Sequence, residues 1–414
     1  MALRTESMPV DSSFSEKLLN IARYLVIVAV VAAPISTAVT SIACVALLVF
    51  WLMSGQAIQS LKRSWQQPAG KMLVVFALWL LISALYAQTD WSSKLETLYS
   101  WKKLFYTFLV LGIFHQTLWQ RRFVKSYAIA MFVAAILAIP LWAFDLVVRD
   151  GREPGIFMTN HATQSMAFVA AVIVCIFVLR EPLSTRQKYY VGGAIGLFLL
   201  NIFFISPARS GYFALPIAVV FATGSIYGYK KLPHILVGAT IALLALIASS
   251  TTLQDRIKLA IDEKAGYQTS SIETSIGLRV VFYQNTLELI KERPWFGYGT
   301  SSFKPTYSAL AAAKSHGWQG NSAADPHNQY LFIWMENGLV GLLLFFAYLY
   351  VALRQGLKSK PYGLIAASFL VAICASSLFN SHFKTFAEGY LLAFFVGALL
   401  TPSSDASDSP PTHA

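Results

Sequence analysis

The stretch Ala323–Gly341, "AADPHNQYLFIWMENGLVG", sets a histidine immediately before an apolar run that continues as "LLLFFAYLYVAL" to Leu353. At about 1.5 Å per residue such a run crosses the roughly 30 Å of a bilayer's hydrocarbon core. Asp325 reads as an N-cap and Pro326 as the first helical residue, which sets His327 in the first turn of a spanning helix. Runs of this kind recur along the 414 residues, which are 56% hydrophobic and only 13% charged, whereas soluble domains are roughly 25% charged. The fold class is therefore an all-α polytopic membrane protein.

The apolar runs predict about twelve spans, centred on 18–34, 36–53, 71–87, 103–118, 124–148, 162–179, 189–206, 211–228, 233–249, 328–353, 361–379 and 383–400. The first lacks a small-residue cleavage site and is expected to be a retained helix rather than a signal peptide. Lys and Arg gather in alternate loops: Lys62, Arg63 and Lys71; Arg121, Arg122 and Lys125; Arg180, Arg186 and Lys188; Lys230 and Lys231; Arg354, Lys358 and Lys360. Basic loops stay cytoplasmic, so both termini are expected in the cytoplasm. The opposite loops are poorer in charge or balanced, as in Asp90, Lys94, Glu96, Lys102 and Lys103. The net charge of +12 is thus a topology signal, and nucleic acid, which needs basic residues clustered on one soluble face, is not an expected partner.

One connection is long. The chain divides into spans one to nine over 1–249, a large outer loop over 250–326, spans ten to twelve over 327–400, and a polar, Pro- and Ser-rich cytoplasmic tail over 401–414 that is expected to be disordered. The loop contains amphipathic "LQDRIKLAIDEKAG" and then "TSIGLRVVFYQNTLELIKERPWFGYG", where Leu278, Phe282 and Leu289 keep helical spacing up to a stop at Pro294.

The orientation puts His327 at the outer membrane boundary together with Arg209 in "SPARSGY", Arg279 in the loop, and Arg152 and His161 in "RDGREPGIFMTNH". Each also has a plain reading: an interfacial histidine, a snorkelling or helix-ending arginine, a helix-surface ion pair. Glu336, about two and a half turns beyond His327, points to the opposite face of its helix and is expected to pair with another span. Cys44, Cys175 and Cys374 fall inside predicted spans and make neither a disulfide framework nor a metal motif, and His161, His316 and His327 lie on separate segments. Neither a metal nor a cofactor is expected.

The ordered set "SPARSGYFALPIAVV", "GLRVVFYQNTLELIKERPWFGYGTSSF" and "DPHNQYLFIWMENGLVGLLLFF", concentrated in residues 200 to 350, resembles the O-antigen ligase family, within the larger group that holds O-antigen polymerases and pilin oligosaccharyltransferases. The resemblance implies a bacterial inner-membrane enzyme with a glycosyltransferase C-type fold. Such enzymes move a glycan from undecaprenyl pyrophosphate to an acceptor at the periplasmic face; for ligases the acceptor is the lipid A core. It also implies that His327 is the functional histidine and that Arg209 and Arg279 are the paired arginines, with Arg152 and His161 as possible further donor or acceptor contacts. Some members carry a second histidine beside the first; here Pro326 takes that place.

The residue chemistry agrees. An outer-facing enzyme has no nucleotide sugars and needs a pre-activated, membrane-bound donor. Guanidinium forks suit a pyrophosphate leaving group, and a neutral imidazole can take the proton of an attacking hydroxyl. No carboxylate pair suggests a covalent intermediate, so single displacement with inversion is expected. The rivals are a polymerase, a protein oligosaccharyltransferase and, from another class, a multi-span transporter. Against the transporter, no matching halves and no discontinuous mid-membrane segments in corresponding places are readable. The topology has its own test: in a chain cleared of native cysteines, a cysteine at Ser315 should label with an impermeant maleimide in intact spheroplasts, and labelling only after lysis would invert the orientation.

Overall fold

A computed structural model describes residues 12–148, 151–206, 208–231, 274–315 and 317–402, with scattered positions between 233 and 258. The predicted ninth span, the first half of the large loop with "LQDRIKLAIDEKAG", His316 and the tail from 403 lie outside the described residues. Among the described residues the regular structure is helical throughout, with no strand. The helices are α1 (Ser12–Ala32), α2 (Thr37–Met53), α3 (Ala57–Gln66), α4 (Pro68–Tyr86), α5 (Trp91–Ser100), α6 (Lys102–Ile113), α7 (Thr117–Ala143), α8 (His161–Val178), α9 (Thr185–Leu200), α10 (Arg209–Tyr227), α11 (Ser275–Glu292), α12 (Phe303–Lys314), α13 (Gln329–Lys358), α14 (Tyr362–Ser376) and α15 (Phe386–Leu399).

Among the described residues six helical stretches are long and apolar enough to cross a membrane, seven if α2 and α3, bent by 106° at their break, count as one. The chain is thus an all-helical membrane protein. The other predicted spans differ for readable reasons. α1 carries Glu16, Lys17 and Arg23. α6 has 12 residues and α15 has 14, about 18 and 21 Å, short of a full hydrocarbon core. α15 is apolar all round and buried from Ala387 to Leu399; such a helix is a bundle centre. It packs against α6, α8 and α14, while α13 lies on α4 and α14, and α10 on α8 and α14.

The segment expected as one unbroken span over 328–353 is broken. Within α13, Gly338 has φ +67° and ψ −176°, far from helical values. The loop Pro294–Thr300 fills the break. Leu339 and Val340 donate their N–H groups to the carbonyls of Pro294 and Trp295 (2.8 and 3.2 Å), and the Met335 and Glu336 carbonyls accept from Tyr298 and Gly299 (3.0 and 2.6 Å). Trp79 Nε1 donates to the Asn337 carbonyl (3.1 Å), and Ser83 and Thr300 hydroxyls reach Asn337 Oδ1 at 2.6 and 3.0 Å. Three carbonyls and two N–H groups freed at the break thus have partners outside the helix. Only glycine fits at 338: its φ is left-handed and a Cβ would collide with the Trp295 carbonyl.

Glu336, expected to pair with another span, instead reaches this loop. Its Oε1 accepts from the Ser301 and Phe303 N–H groups at 3.1 and 3.0 Å. These are orphan donors at the start of α12, whose own N-cap Ser302 makes no side-chain cap. α12 was not read from sequence, although Phe303, Tyr307 and Ala311, four apart and all buried, mark its inner face. Thr401, assigned to the tail, is tied down by a bond from its Oγ1 to the Leu111 carbonyl (2.9 Å).

Glu336→Ala should cost about 1–3 kcal/mol for each buried donor it leaves unmatched, and Glu336→Gln, which keeps an acceptor, should cost less. Gly338→Ala should cost at least about 1–3 kcal/mol through strain alone. Thermal unfolding in detergent reads all three, and midpoints equal to wild type would mean that the break is not sustained by these contacts.

Candidate functional site

The ends of several elements converge on the turn between α14 and α15, residues 377–385. Gln329 at the start of α13 donates its N–H to the Ser377 carbonyl (2.9 Å), and its Oε1 accepts from the Phe383 N–H (3.1 Å). Phe213, in the first turn of α10, meets Phe379 edge to face at 5.1 Å. Thr163, in the first turn of α8, donates to Glu388 Oε1 in the first turn of α15 (2.6 Å). Lys103 of α6 is buried and donates to the carbonyls of Lys384 and Thr385 (2.6 and 2.9 Å).

His327 lies at this end, but not inside the helix. The N-cap of α13 is Asn328, whose side chain accepts from the Tyr330 and Leu331 N–H groups (3.0 and 3.1 Å). The expected cap at Asp325, with Pro326 as first helical residue and His327 in the first turn, is therefore displaced by three residues. The physical reason is that Asp325 Oδ1 closes a local turn instead, accepting from the His327 N–H at 2.8 Å. His327 takes φ +51°, a left-handed conformation uncommon outside glycine. Its ring stacks on Phe282 of α11 with centroids 5.9 Å apart and planes at 23°. Tyr283, the next residue of α11, directs its hydroxyl to the carbonyls of His327 (3.3 Å) and Leu378 (2.8 Å). The imidazole itself stays 47% exposed, so it can reach a ligand.

Arg279 lies one helical turn before Phe282 and Tyr283 on α11 and so shares the face that packs against His327. Arg209 is the first residue of α10, and Phe213, one turn further on, is the residue of that helix that meets Phe379 of the 377–385 turn. His161 is the exposed first residue of α8, two positions before Thr163, and lies at the same end of the bundle. Arg152 is half-buried and directs Nη1 to the carbonyls of Phe157 and Met158, within its own loop.

The turn itself was read from sequence only as the gap between two spans. It brings Ser381, His382 and Lys384 to the site: Ser381 Oγ donates to Asp325 Oδ1 (2.9 Å), Lys384 Nζ donates to the Ala324 carbonyl (3.3 Å), and buried His382 Nε2 lies 2.5 Å from Ser376 Oγ. Burial pushes the His382 pKa below its ordinary value, against the opposing pull of Glu388 and Asp325. Burial raises the Tyr283 pKa, partly offset by Asn328 and the Arg279 charge, so this hydroxyl is a donor at neutral pH. The readable signal was "NSHFKT", a short polar stretch with an imidazole and an ammonium between two apolar runs.

Tyr283→Phe removes the hydroxyl that ties His327 to Leu378 and should cost about 1 kcal/mol. A fall in the unfolding midpoint of the purified variant is expected, and an unchanged midpoint would show that the hydroxyl holds nothing.

An uncharacterized protein of Haemophilus influenzae is 28% identical to this chain over 191 residues, which cover 45% of this chain and 47% of that protein. The match therefore spans about half of each. Arg209, Arg279 and His327 all fall within residues 194–346, and that segment matches the O-antigen ligase family.

Proposed function

We propose that this protein is an O-antigen ligase of the bacterial inner membrane, transferring a glycan from undecaprenyl pyrophosphate to a sugar hydroxyl of lipid A-core at the periplasmic face. The observation that carries the reading is the exposed His327 ring, stacked on α11 one turn from Arg279, at the end of the bundle where α10 begins with Arg209. In this reading the chain makes twelve crossings, the helix ends around 377–385 face the periplasm, and the loop over 250–326 is periplasmic.

The chemistry follows from the groups. The acceptor hydroxyl attacks the anomeric carbon and gives its proton to the His327 imidazole. The bond from that carbon to the pyrophosphate oxygen breaks, and the electron pair leaves with the pyrophosphate. Arg209 and Arg279 hold the charge that grows there; stabilising such charge is usually the largest catalytic term. Arg152 and His161 are assigned a lesser part, contacting donor or acceptor sugars. Single displacement inverts the anomeric centre, and two guanidinium groups supply the positive charge without a metal.

A lipid-linked donor also needs a place for its tail. An apolar groove of about 840 Å³ opens between α10, α13 and α14, lined among others by Ile217, Tyr330, Leu349, Cys374 and Leu378. Its upper end is at the site: Tyr330 is three residues from His327, and the Leu378 carbonyl is the one held by Tyr283. A polyisoprenyl chain entering there would leave its pyrophosphate among the arginines.

Purified protein with donor and acceptor should transfer glycan in excess chelator. His327→Ala should lower the rate about 10²- to 10⁴-fold at matched folded content. Arg209→Lys and Arg279→Lys should each lose about 10- to 150-fold despite keeping the charge, because a lysine cannot grip phosphate bidentately, and the Ala variants should lose more. Wild-type rates in both Lys variants would remove bidentate recognition, and rescue of chelated enzyme by a divalent metal would overturn the metal-free mechanism. In a deletion strain, lipopolysaccharide lacking polymer, with lipid-linked polymer accumulating, identifies a ligase; a single capped repeat unit would identify a polymerase instead.

A further inference from the structure

We infer that Asp325 is the positioning residue of His327: it holds the imidazole in its left-handed perch and supplies the negative charge that lets the ring accept a proton. The inference rests on the reading of His327 as the base. A non-glycine residue at φ +51° persists only where its surroundings over-determine it. Here the N–H of His327 goes to Asp325 Oδ1 (2.8 Å), its carbonyl accepts from Tyr283 (3.3 Å), and its ring lies on Phe282.

Asp325 is held in turn. The same Oδ1 accepts from Ser381 Oγ at 2.9 Å, so the carboxylate is fastened both to the segment that carries the base and to the turn between α14 and α15. Its side chain is 22% exposed, against 47% for the ring, and Oδ1 lies 3.8 Å from Nδ1. That is too long for a hydrogen bond and within ion-pair reach of a charged ring. Nδ1 faces the carboxylate, which leaves Nε2 for the acceptor. When Nε2 takes the hydroxyl proton the ring becomes an imidazolium beside the Asp325 carboxylate.

The charged and titratable groups on the elements that meet this segment are Arg279 and Tyr283 on α11 and His382 and Lys384 in the turn, with Arg209 starting α10 and Glu388 in the first turn of α15. Most of them are cationic or neutral. On the segment that carries His327, Asp325 is the anion within 4 Å of its ring.

The test is Asp325→Asn, which keeps an acceptor for the His327 N–H and for Ser381 but removes the charge. The rate at saturating substrates should fall about 10- to 100-fold with KM for the donor nearly unchanged. In the His327→Ala background the same substitution should change nothing, since Asp325 acts through the imidazole. Ser381→Ala, which frees the carboxylate without removing it, provides a second variant and should give a smaller rate loss. If Asp325→Asn folds but keeps the wild-type rate while His327→Ala is inactive, the inference fails and the base assignment stands. If His327→Ala keeps wild-type turnover, the base assignment fails and Asp325 falls with it. An additive loss in the double variant would make Asp325 a structural residue only.

Discussion

The break in α13 at Gly338, filled by the backbone of Pro294–Thr300, is the constraint on which the rest depends. An exposed N–H or carbonyl at membrane depth costs several kcal/mol, so a helix can be interrupted only where protein replaces its hydrogen bonds. Here four backbone bonds do so, joined by Trp79 and by the Ser83–Thr300–Asn337 cluster. Loop and helix are therefore one unit. That fixes where α11 ends and where α12 begins, the latter capped from outside by Glu336. With its far end pinned at Pro294, α11 lays Phe282 and Tyr283 against His327, nine residues ahead of Glu336 on the same connected segment.

The start of α13 shows two polar residues competing to cap one helix. Asp325 and Asn328 are both good N-cap types. Asn328 wins the helix because its side chain can meet both Tyr330 and Leu331, while Asp325 is drawn off by the His327 N–H and by Ser381. The consequence is functional. A histidine inside the first turn would point along the helix surface. A histidine just outside it, in a left-handed turn, projects from the bundle end and keeps its ring half open to solvent.

Much of the fold was legible in the sequence. The apolar runs correspond to helices wherever residues are described, and α11 ends at Glu292, before the Pro294 stop. Arg209, Arg279 and His327 could be singled out by residue type and by position in the sequence; in the structure His327 precedes α13, Arg279 lies on α11 one turn before the Phe282 that stacks on it, and Arg209 begins α10. What could not be read depends on contacts between distant segments. Glu336-Asn337-Gly338 lie inside a run read as one unbroken span, and the partners that make a break there tolerable come from a loop some forty residues upstream and from α4. The cap shift from Asp325 to Asn328 depends on Ser381, 56 residues away. The turn 377–385 carries few charges and no length to advertise it; its role comes from the helix ends that surround it.

Those helix ends bear on the chemistry. Among the described residues α8, α10, α13 and α15 all begin at this end of the bundle, and each N-terminus carries roughly +0.5 of an elementary charge from its unsatisfied N–H groups. α10 adds an arginine as its first residue, with no acidic residue in its first turn and no side-chain cap. Helix N-termini gathered at one end favour a bound anion, as the proposed pyrophosphate would be. A carboxylate near the base has to leave that field in place where the leaving group departs. Asp325 is fastened to the segment of His327 and to Ser381, 3.8 Å from the ring, and in a polar, partly exposed region its pull falls away within the next several ångströms.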